Sequence, residues 1–350
     1  MSAILPAVGL RVWRIGPLAL IVRFSTVLIL TGMVLLACAI GVGSLVQGTL
    51  AMPEATLITA LFQPEHLSTS QHYVLWDIRL PRIALALLCG ALLGMAGAAM
   101  QANTRNGLAD PGLIGVKEGA TVVVLIVMLL YPSMSLLWRP VVGTLGGLLV
   151  AFSVLLIARD PARPRFLLTG IGFSWLLAAG LGVFISTANI RTVQTALLWM
   201  AGSLSGSSWP LAAVALGWSL PAVVILLWTH RAGEVVALGE TAARGLGVRV
   251  GQLSLLRFVA SVMLSATAVS CVGSLGFVGL MAPHMTRLVL RSGLLGQWLG
   301  SACTGAILVL MADSIGRLAF APLQLPAGIV IALVGAPFFL LLLWQRRDHF

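Results

Sequence analysis

The chain has 350 residues, of which 59% are hydrophobic and only 9% are charged. A soluble monomer of this composition would expose far more apolar surface than water tolerates, whereas the hydrocarbon core of a bilayer accepts such surface. The net charge of +11 does not indicate a nucleic-acid-binding protein, because the basic residues are scattered at the ends of apolar runs and form no stripe. Composition therefore predicts an integral membrane protein without a separate soluble domain.

Apolar windows of about 19 residues, taken in chain order, predict ten transmembrane helices. A basic stretch precedes the first window and no cleavage site follows soon after, which predicts a retained span rather than a removed signal peptide. We therefore expect an all-α integral membrane protein with an N-terminal extension at 1–23, one ten-span domain at 24–345 and a tail at 346–350. The windows are 24–46, 83–101, 113–131, 140–158, 166–187, 209–229, 253–272, 275–290, 295–313 and 327–344.

Basic residues mark alternate ends of these windows, and most of the 21 lysines and arginines belong to one set of ends. Cytoplasmic ends of membrane spans carry an excess of Lys and Arg, so the richer set, and with it both termini, is predicted to be cytoplasmic. This topology predicts a multi-pass protein of the bacterial inner membrane. The opposite, outer ends retain Arg79, Arg82, Arg139, Arg191 and Arg317.

Two connections are predicted to contain short helices. The outer segment 188–208 holds an apolar periodic stretch that is too short to span, which predicts a helix at the periplasmic surface. The inner segment 232–251 is predicted to form two short helices hinged at a glycine. Small residues recur at helix-contact spacing elsewhere, where we expect close helix packing. These glycines are Gly90, Gly94 and Gly97, and Gly273, Gly276 and Gly279.

Residues that could carry chemistry are scarce. The only lysine, Lys117, follows a valine instead of the glycine that a P-loop requires, so this chain is not expected to bind ATP in that way. His284 lies deep in an apolar window without a serine motif to serve, and we interpret it as a polar helix-end residue near Arg287. The four cysteines lack metal-ligand spacing, which predicts free buried thiols. An intramembrane enzyme is therefore disfavoured.

The inner segment also has an amphipathic pattern. Two interpretations of it stay open: a peripheral protein holds the apolar face in a groove, or the segment lies among lipid headgroups. The apolar positions are Ala237, Leu238, Ala242, Leu246 and Val248, and the polar positions are Glu234, Glu240, Arg244 and Arg249.

Three arginines lie at the predicted outer ends of spans, where the excess of Lys and Arg at cytoplasmic ends leads us to expect few basic residues. Arg79 and Arg82 flank a proline in "RLPR", and Arg317 closes the ninth window. Arginines kept on the outer side suggest carboxylates for them to meet. The alternative is local pairing, since Asp77 lies near Arg79 and Asp313 precedes Arg317 by four residues.

Five segments in the same order resemble the FecCD-type permeases of bacterial ABC importers for ferric siderophores, haem and vitamin B12. The resemblance covers essentially the whole chain, and its finer features are most similar to permeases for ferric catecholates such as enterobactin. The segments are "RLPRIALALLCGALLGMAGAAMQANTRNGLADPGLIGV" (79–116), "LLWMAGSLSG" (197–206), "LGETAARGLGV" (238–248), "GSLGFVGLMAPHMTRLV" (273–289) and "ADSIGRLAFAPLQLPAGIVIALVGAPFFLLLL" (312–343).

The resemblance implies a type II ABC-importer permease fold and four kinds of partner. These are a second permease subunit, identical or paralogous, cytoplasmic ATPase subunits that hold ATP and Mg²⁺, a periplasmic binding protein and the ferric-siderophore substrate, with lipid around the spans. It implies no catalytic, cofactor-binding or metal residue in this chain. Arg79, Arg82 and Arg317 would dock the binding protein. The coupling helices near 234–249 would comprise Glu234, Leu238, Gly239, Glu240, Ala243, Gly245, Leu246, Gly247 and Val248.

The expected function is therefore transport of an iron–siderophore chelate from periplasm to cytoplasm by alternating access. Haem or vitamin B12 is the alternative cargo within the same family. A different class, the ion-coupled secondary transporter, usually needs ionisable residues at mid-membrane, whereas Asp313, His284 and Lys117 all lie toward span ends. The basic N-terminal extension is assigned only to topology and to attraction by anionic lipid.

Overall fold

A computed structural model describes residues 10–15, 18–47, 67–131, 133–159, 164–320 and 323–345. The tail at 346–350 and parts of the N-terminal extension lie outside these residues. Within them the chain forms twelve α-helices, in agreement with the all-α prediction. The helices are α1 (Phe24–Val46), α2 (Thr69–Thr104), α3 (Val116–Leu130), α4 (Arg139–Ala158), α5 (Pro164–Thr187), α6 (Ile190–Met200), α7 (Trp209–Ala237), α8 (Glu240–Gly245), α9 (Val250–Val272), α10 (Val278–Val289), α11 (Leu294–Leu318) and α12 (Ala327–Gln345).

Each of the ten predicted spans coincides with one of these helices. Among the described residues, eight helices are long and apolar enough to cross a membrane, namely α1, α2, α4, α5, α7, α9, α11 and α12. The other two, α3 and α10, have 15 and 12 residues, fewer than the about 20 that a helix needs to cross the hydrocarbon core. The chain is thus a multi-pass helical membrane protein in which two of the predicted spans are short.

The N-terminal extension contains an antiparallel hairpin that the sequence interpretation did not predict. Strand β1 (Leu10–Ile15) pairs with β2 (Leu18–Arg23), from Leu10 opposite Arg23 to Ile15 opposite Leu18. Valine, isoleucine and tryptophan favour strands. The hairpin leads directly into α1, which begins at Phe24, the residue at which the first span is predicted to begin.

Helix α2 lies at the centre of the bundle and packs against α9, α10 and α11. In its most apolar window 72% of the residues are buried within the protein, compared with 11% for α1. Glycines in α2 allow its neighbouring helices to approach closely. A methyl group on Gly90 would overlap the Gly305 carbonyl, and one on Gly97 would overlap the Gly279 backbone. The predicted close packing is therefore confirmed at the glycines of α2, with α11 and α10 as its partners, but it is wrong for Gly276, where an added methyl group would meet no atom within 4 Å.

The N-terminal part of α2 contains a π-helical segment, Tyr73–Arg79. The Leu80 N–H donates to the Leu75 carbonyl, five residues back instead of four. Pro81 follows at the start of the regular helix, and its ring nitrogen has no hydrogen to donate to the carbonyl four residues earlier. The wider turn therefore ends at Arg79, the first arginine of "RLPR".

Candidate docking and coupling sites

Two helices bring the predicted outer arginines together. Arg79 and Arg82 come from α2, and Arg317 comes from the last turn of α11. Asp313, one turn earlier in α11, lies between Arg82 and Arg317 and is only 2% exposed. We call these four residues the outer arginine cluster.

Asp313 is the shared counter-ion of this cluster. Its Oδ1 accepts a hydrogen bond from Nη2 of Arg82 at 2.8 Å, and Arg82 Nε lies 3.0 Å from Oδ2. Arg317 Nε also donates to Oδ2, at 3.1 Å. Two-pronged arginine–carboxylate contacts of this kind are strong and directional, so Asp313 fixes the orientation of both guanidinium groups.

The end of α1 completes the cluster. Arg79 is 6% exposed and donates to the backbone carbonyl of Leu45, and Arg317 donates from Nη2 to the hydroxyl of Ser44. Arg82 reaches further out, where Nη1 donates to Gln324 at 3.3 Å. Arg82 and Arg317 thus share the carboxylate of Asp313, while Arg79 is held against the end of α1.

The local pairing of Arg317 with Asp313, which the sequence offered as an alternative, is present. The longer contact from Arg82 to Asp313 joins residues 231 positions apart, and no sequence pattern indicates it. The participation of Ser44 and Leu45 was also missed, since neither residue type carries a signal. The structure therefore brings all three predicted arginines together, but around an internal carboxylate.

The predicted coupling segment, residues 234–249, forms one short helix instead of two. Residues 234–237 continue α7, and only Glu240–Gly245 forms a separate helix, α8. Gly239 and Gly247 flank α8 with φ of 118° and 81°, a backbone conformation that favours glycine. The chain thus turns at these two glycines, and Gly245 is the last residue of α8. The two-helix prediction is wrong because the long helix α7 absorbs the first part of the segment.

Leucine side chains project from both sides of α8. Leu238 is 76% exposed and Leu246 is 69% exposed, whereas Ala243 is fully buried beneath them. Glu240 forms an ion pair with Arg244 of the same helix at 3.2 Å, and a second ion pair at 3.4 Å with Arg105, directly after α2, links α8 to the bundle. The segment therefore presents apolar side chains on a short helix that is anchored to the bundle.

Glu234 has a structural contact of its own. Its Oε1 accepts a hydrogen bond from the backbone N–H of Leu294 at 3.1 Å, which links the end of α7 to the start of α11. Gly239, Leu246, Gly247 and Val248 continue the chain from α7 into α9 and lie at one end of the bundle with it. All the predicted coupling residues are thus close in space.

The remaining candidate residues have ordinary structural environments. His284 is 5% exposed in the middle of α10, and its Nδ1 lies 2.9 Å from the Leu280 carbonyl. All four cysteines are free, with Cys89 and Cys271 buried and Cys38 exposed on the surface of α1. Within the described parts of the chain, no cluster of three or more His, Cys, Asp or Glu could hold a metal ion.

Comparison with known proteins places these two sites in context. The family model of the FecCD transport family matches residues 25–345. The chain belongs to the FecCD transport family. Both the outer arginine cluster and the coupling segment lie inside the matched range, so the two sites are parts of the FecCD domain itself.

Individual relatives match this FecCD chain over nearly its whole length. It is 34% identical to the achromobactin transport system permease protein CbrC of Dickeya dadantii, over 96% of this chain and 97% of that protein. It is 35% identical to the Fe(3+)-citrate import system permease protein YfmE of Bacillus subtilis, over 93% and 95%. A solved structure of a metal-chelate type ABC transporter in an inward-facing conformation is also similar, with a TM-score of 0.78, 28% identity and coverage of 91% and 99%.

Proposed function

We propose that this FecCD protein is the permease subunit of an ATP-driven importer that carries an iron–siderophore chelate from the periplasm to the cytoplasm. The match over residues 25–345, together with the structural likeness at a TM-score of 0.78, carries this proposal. The named cargoes of the relatives, achromobactin and Fe(3+)-citrate, support an iron chelate. The permease contributes a path and no chemistry.

The chelate that we propose is a catecholate of the enterobactin type. Sequence identity does not choose among cargoes, because relatives named for two different ones are 34% and 35% identical to this chain. Haem and vitamin B12 are the alternative cargoes. Uptake of radiolabelled ferric enterobactin, ferric citrate, haem and vitamin B12 by cells that carry the transporter tests this choice, and uptake of another compound in its place would contradict it.

Energy would come from ATP and Mg²⁺ on cytoplasmic ATPase subunits seated against the coupling segment. The exposed apolar side chains of Leu238 and Leu246 support this role, because a partner groove can bury them. The glycines on either side of α8 permit the segment to turn as a unit. ATP binding would move α8, and α7 and α9 would pass the movement into the bundle, so that the path opens to alternate sides.

The periplasmic binding protein would dock on the outer arginine cluster. Asp313 already orients Arg82 and Arg317, which reduces the entropy that a partner must overcome to engage them. A glutamate of the binding protein could replace Gln324 at Nη1 of Arg82 without displacing Asp313. Arg82 and Arg317 share a single carboxylate, which supports a partner with carboxylates on its docking face.

The full assembly would lie in the bacterial inner membrane with both termini of this chain in the cytoplasm. A second permease subunit, identical or paralogous, would complete the translocation path. The excess of arginine at the end of the bundle that carries α8 supports this orientation.

Reconstitution tests the class of transporter. The permease is placed in liposomes with and without its ATPase subunits, the binding protein and labelled ferric chelate are added outside, and ATP is supplied at the ATPase side. We expect uptake only when both ATPase and ATP are present. Uptake driven by an imposed proton or sodium gradient without the ATPase would instead identify an ion-coupled secondary transporter.

Docking is tested by changing the shape of a cationic group without changing its charge. Arg82→Lys keeps the positive charge but loses the planar pair of donors, so affinity for the binding protein should fall about tenfold, the equivalent of one charge-assisted hydrogen bond. Arg139→Lys is the matched control at the same predicted end. Affinity is measured by surface plasmon resonance on nanodiscs at two salt concentrations.

Binding of the wild type should weaken at the higher salt concentration, because screening reduces charge attraction. If Arg82→Lys and Arg139→Lys bind the partner as tightly as the wild type, the outer arginine cluster is not the docking site.

A further inference from the structure

A cavity of about 460 Å³ lies at the end of the bundle that carries α8. It is enclosed by the last turns of α2 and α4, by α7 and α8, and by the first turns of α9. Among its lining residues, Glu240 is the single carboxylate and the arginines number four. These arginines are Arg105, Arg159, Arg244 and Arg257.

Glu240 neutralises only part of this charge. It lies 3.4 Å from Arg105 and 3.2 Å from Arg244, so two arginines share one carboxylate. Among the residues that the structure describes, neither Arg159 nor Arg257 forms an ion pair within 4.0 Å. The cavity is therefore a positive site with unused capacity for an anion.

Arg257 is the most informative member because it is only 4% exposed. Its Nη2 donates to the Thr229 carbonyl at 2.6 Å, and its guanidinium lies 5.2 Å from the ring centroid of Trp298. These neutral groups hold the side chain in place but do not balance its charge. The guanidinium also packs against Gly233, and because Thr229, Gly233 and Trp298 do not line the cavity, Arg257 contributes positive potential from the cavity wall and not a direct ligand.

The first turn of α9 adds to the positive potential. Val250 and Gly251 line the cavity, and Arg249 at the N-cap provides no side-chain hydrogen bond to the first amides. Backbone N–H groups at the start of a helix attract anions, phosphate in particular. The 23-residue helix α9 thus contributes a positive end at the same place as the arginines.

The rim of the cavity has an apolar side. Leu255 of α9 lines it and is 45% exposed, and Leu156 of α4, next to the lining residue Leu155, is 77% exposed. Such side chains on a membrane-spanning helix face hydrocarbon. A ligand with an anionic head and apolar tails would contact both the arginines and the exposed leucines, whereas a free anion would contact only the arginines.

We propose that this cavity binds the phosphate group of an anionic phospholipid, with the acyl chains along Leu156 and Leu255. The phosphate lies among Arg105, Arg159 and the first amides of α9. Clusters of arginine at the cytoplasmic side of membrane helices attract anionic headgroups. The lipid would lie behind the coupling segment, in contact with the bundle end that holds α8. The site does not depend on which chelate is transported.

The test uses the full-length protein in a neutral detergent. Three probes are added separately: phosphatidylglycerol, phosphatidylcholine and inorganic phosphate. Native mass spectrometry counts the lipid retained per chain, and the melting temperature reports binding of all three probes. We expect wild-type protein to retain phosphatidylglycerol and to melt at a higher temperature with it, and to respond to neither of the other probes.

Substitutions locate the site. Arg159→Gln and Arg105→Gln should each weaken phosphatidylglycerol binding about tenfold, the effect of losing one charge-assisted hydrogen bond. Arg231→Gln is the matched control, because Arg231 is exposed near the end of α7 and does not line the cavity. These exposed arginines can be replaced without the folding risk that Arg257→Gln carries.

Three results would overturn the proposal. Equal retention of phosphatidylcholine and phosphatidylglycerol would show that the anionic head is not recognised. Stabilisation by inorganic phosphate alone, with none added by the lipid, would identify a site for a soluble anion. Equal lipid binding by Arg159→Gln, Arg105→Gln and Arg231→Gln would place the lipid elsewhere.

Discussion

At the scale of single residues, Asp313 determines the arrangement of the outer arginine cluster. Its carboxylate is 2% exposed and lies within hydrogen-bond distance of both Arg82 and Arg317. Asp313→Asn keeps the shape but removes the charge, which leaves two nearly buried guanidinium groups without their counter-ion. Loss of one partner of a buried ion pair costs about 3–5 kcal/mol, so we expect a clearly lower melting temperature in detergent.

Asp77→Asn is the matched control for this prediction, because Asp77 is exposed on the same helix as Arg82. The control should melt like the wild type. If Asp313→Asn and Asp77→Asn have the same melting temperature, the ion pairs of Asp313 do not stabilise the fold. A double-mutant cycle of Asp313→Asn with Arg317→Gln then separates the coupling of the pair from the effect of each change alone.

At the scale of helices, the contact of α2 with α10 depends on the absence of a side chain at Gly97. A methyl group there would overlap the backbone of Gly279, and two packed helices cannot separate locally without disturbing their neighbours. Gly97→Ala should therefore cost about 1–3 kcal/mol, as overpacking of a core does. Gly217→Ala in α7 is the control, since no heavy atom lies within 4 Å of the added methyl position.

The melting temperatures of the two glycine variants decide this prediction. Gly217→Ala should equal or slightly exceed the wild type, because alanine is the better helix former. A Gly97→Ala protein that melts no lower than Gly217→Ala would mean that α2 and α10 can move apart at little cost.

The short helix α8 gives a second prediction at this scale. Leu246→Ala and Leu238→Ala remove exposed apolar side chains that we propose an ATPase groove buries. Complete burial of a leucine contributes about 1.5–3 kcal/mol, so each variant should retain less ATPase in co-purification. Leu28→Ala in α1 is the control, since Leu28 is 62% exposed but distant in sequence from α8. Retention equal to that of Leu28→Ala would contradict the proposed coupling surface.

These helices also show how far the sequence could predict the structure. Length and hydropathy located the long spans, because a run of about 20 apolar residues has one stable arrangement in hydrocarbon. They did not reveal that α3 and α10 are short. Both helices follow irregular segments, a 3₁₀ turn at Pro111–Ile114 and the stretch before Phe277, whose apolar composition resembles that of a helix.

For the two sites, the sequence predicted several of the residues but not the contacts that they make. The retained outer arginines could be identified because they oppose a topological rule, but their shared carboxylate could not, since the pairing of Arg82 with Asp313 depends on how α2 and α11 pack. The glycines of the coupling segment predicted a hinge. The sequence did not predict that Gly239 and Gly247 are the turning points, because α7 continues through Ala237, where Glu234 accepts a hydrogen bond from Leu294 of α11.

At the scale of the whole molecule, the predicted orientation can be tested directly. Single cysteines replace Ser205, in the predicted periplasmic connection, and Ala242 in α8, each in a background in which the four native cysteines are alanine. Both positions are exposed. A membrane-impermeant maleimide added to intact spheroplasts should label the Ser205→Cys protein and should reach Ala242→Cys only after the membrane is opened.

Labelling of both positions in intact spheroplasts would contradict the assigned orientation of the chain. Labelling of Ala242→Cys alone would mean that the whole bundle is inverted. Either result would also move the proposed lipid site to the other leaflet, because the cavity and α8 lie at the same end.

The π-helical segment Tyr73–Arg79 has a consequence for how α2 tolerates changes in length. Regular α-helix advances about 100° per residue, and the wider turn accommodates one more residue than an α-helical turn would. Deleting Val74 should let the segment close into ordinary α-helix and leave the membrane-embedded part of α2 in register. The turns before Pro81 would then rotate as a unit, so this short stretch can lose a residue at a lower cost than the regular, buried turns that follow it.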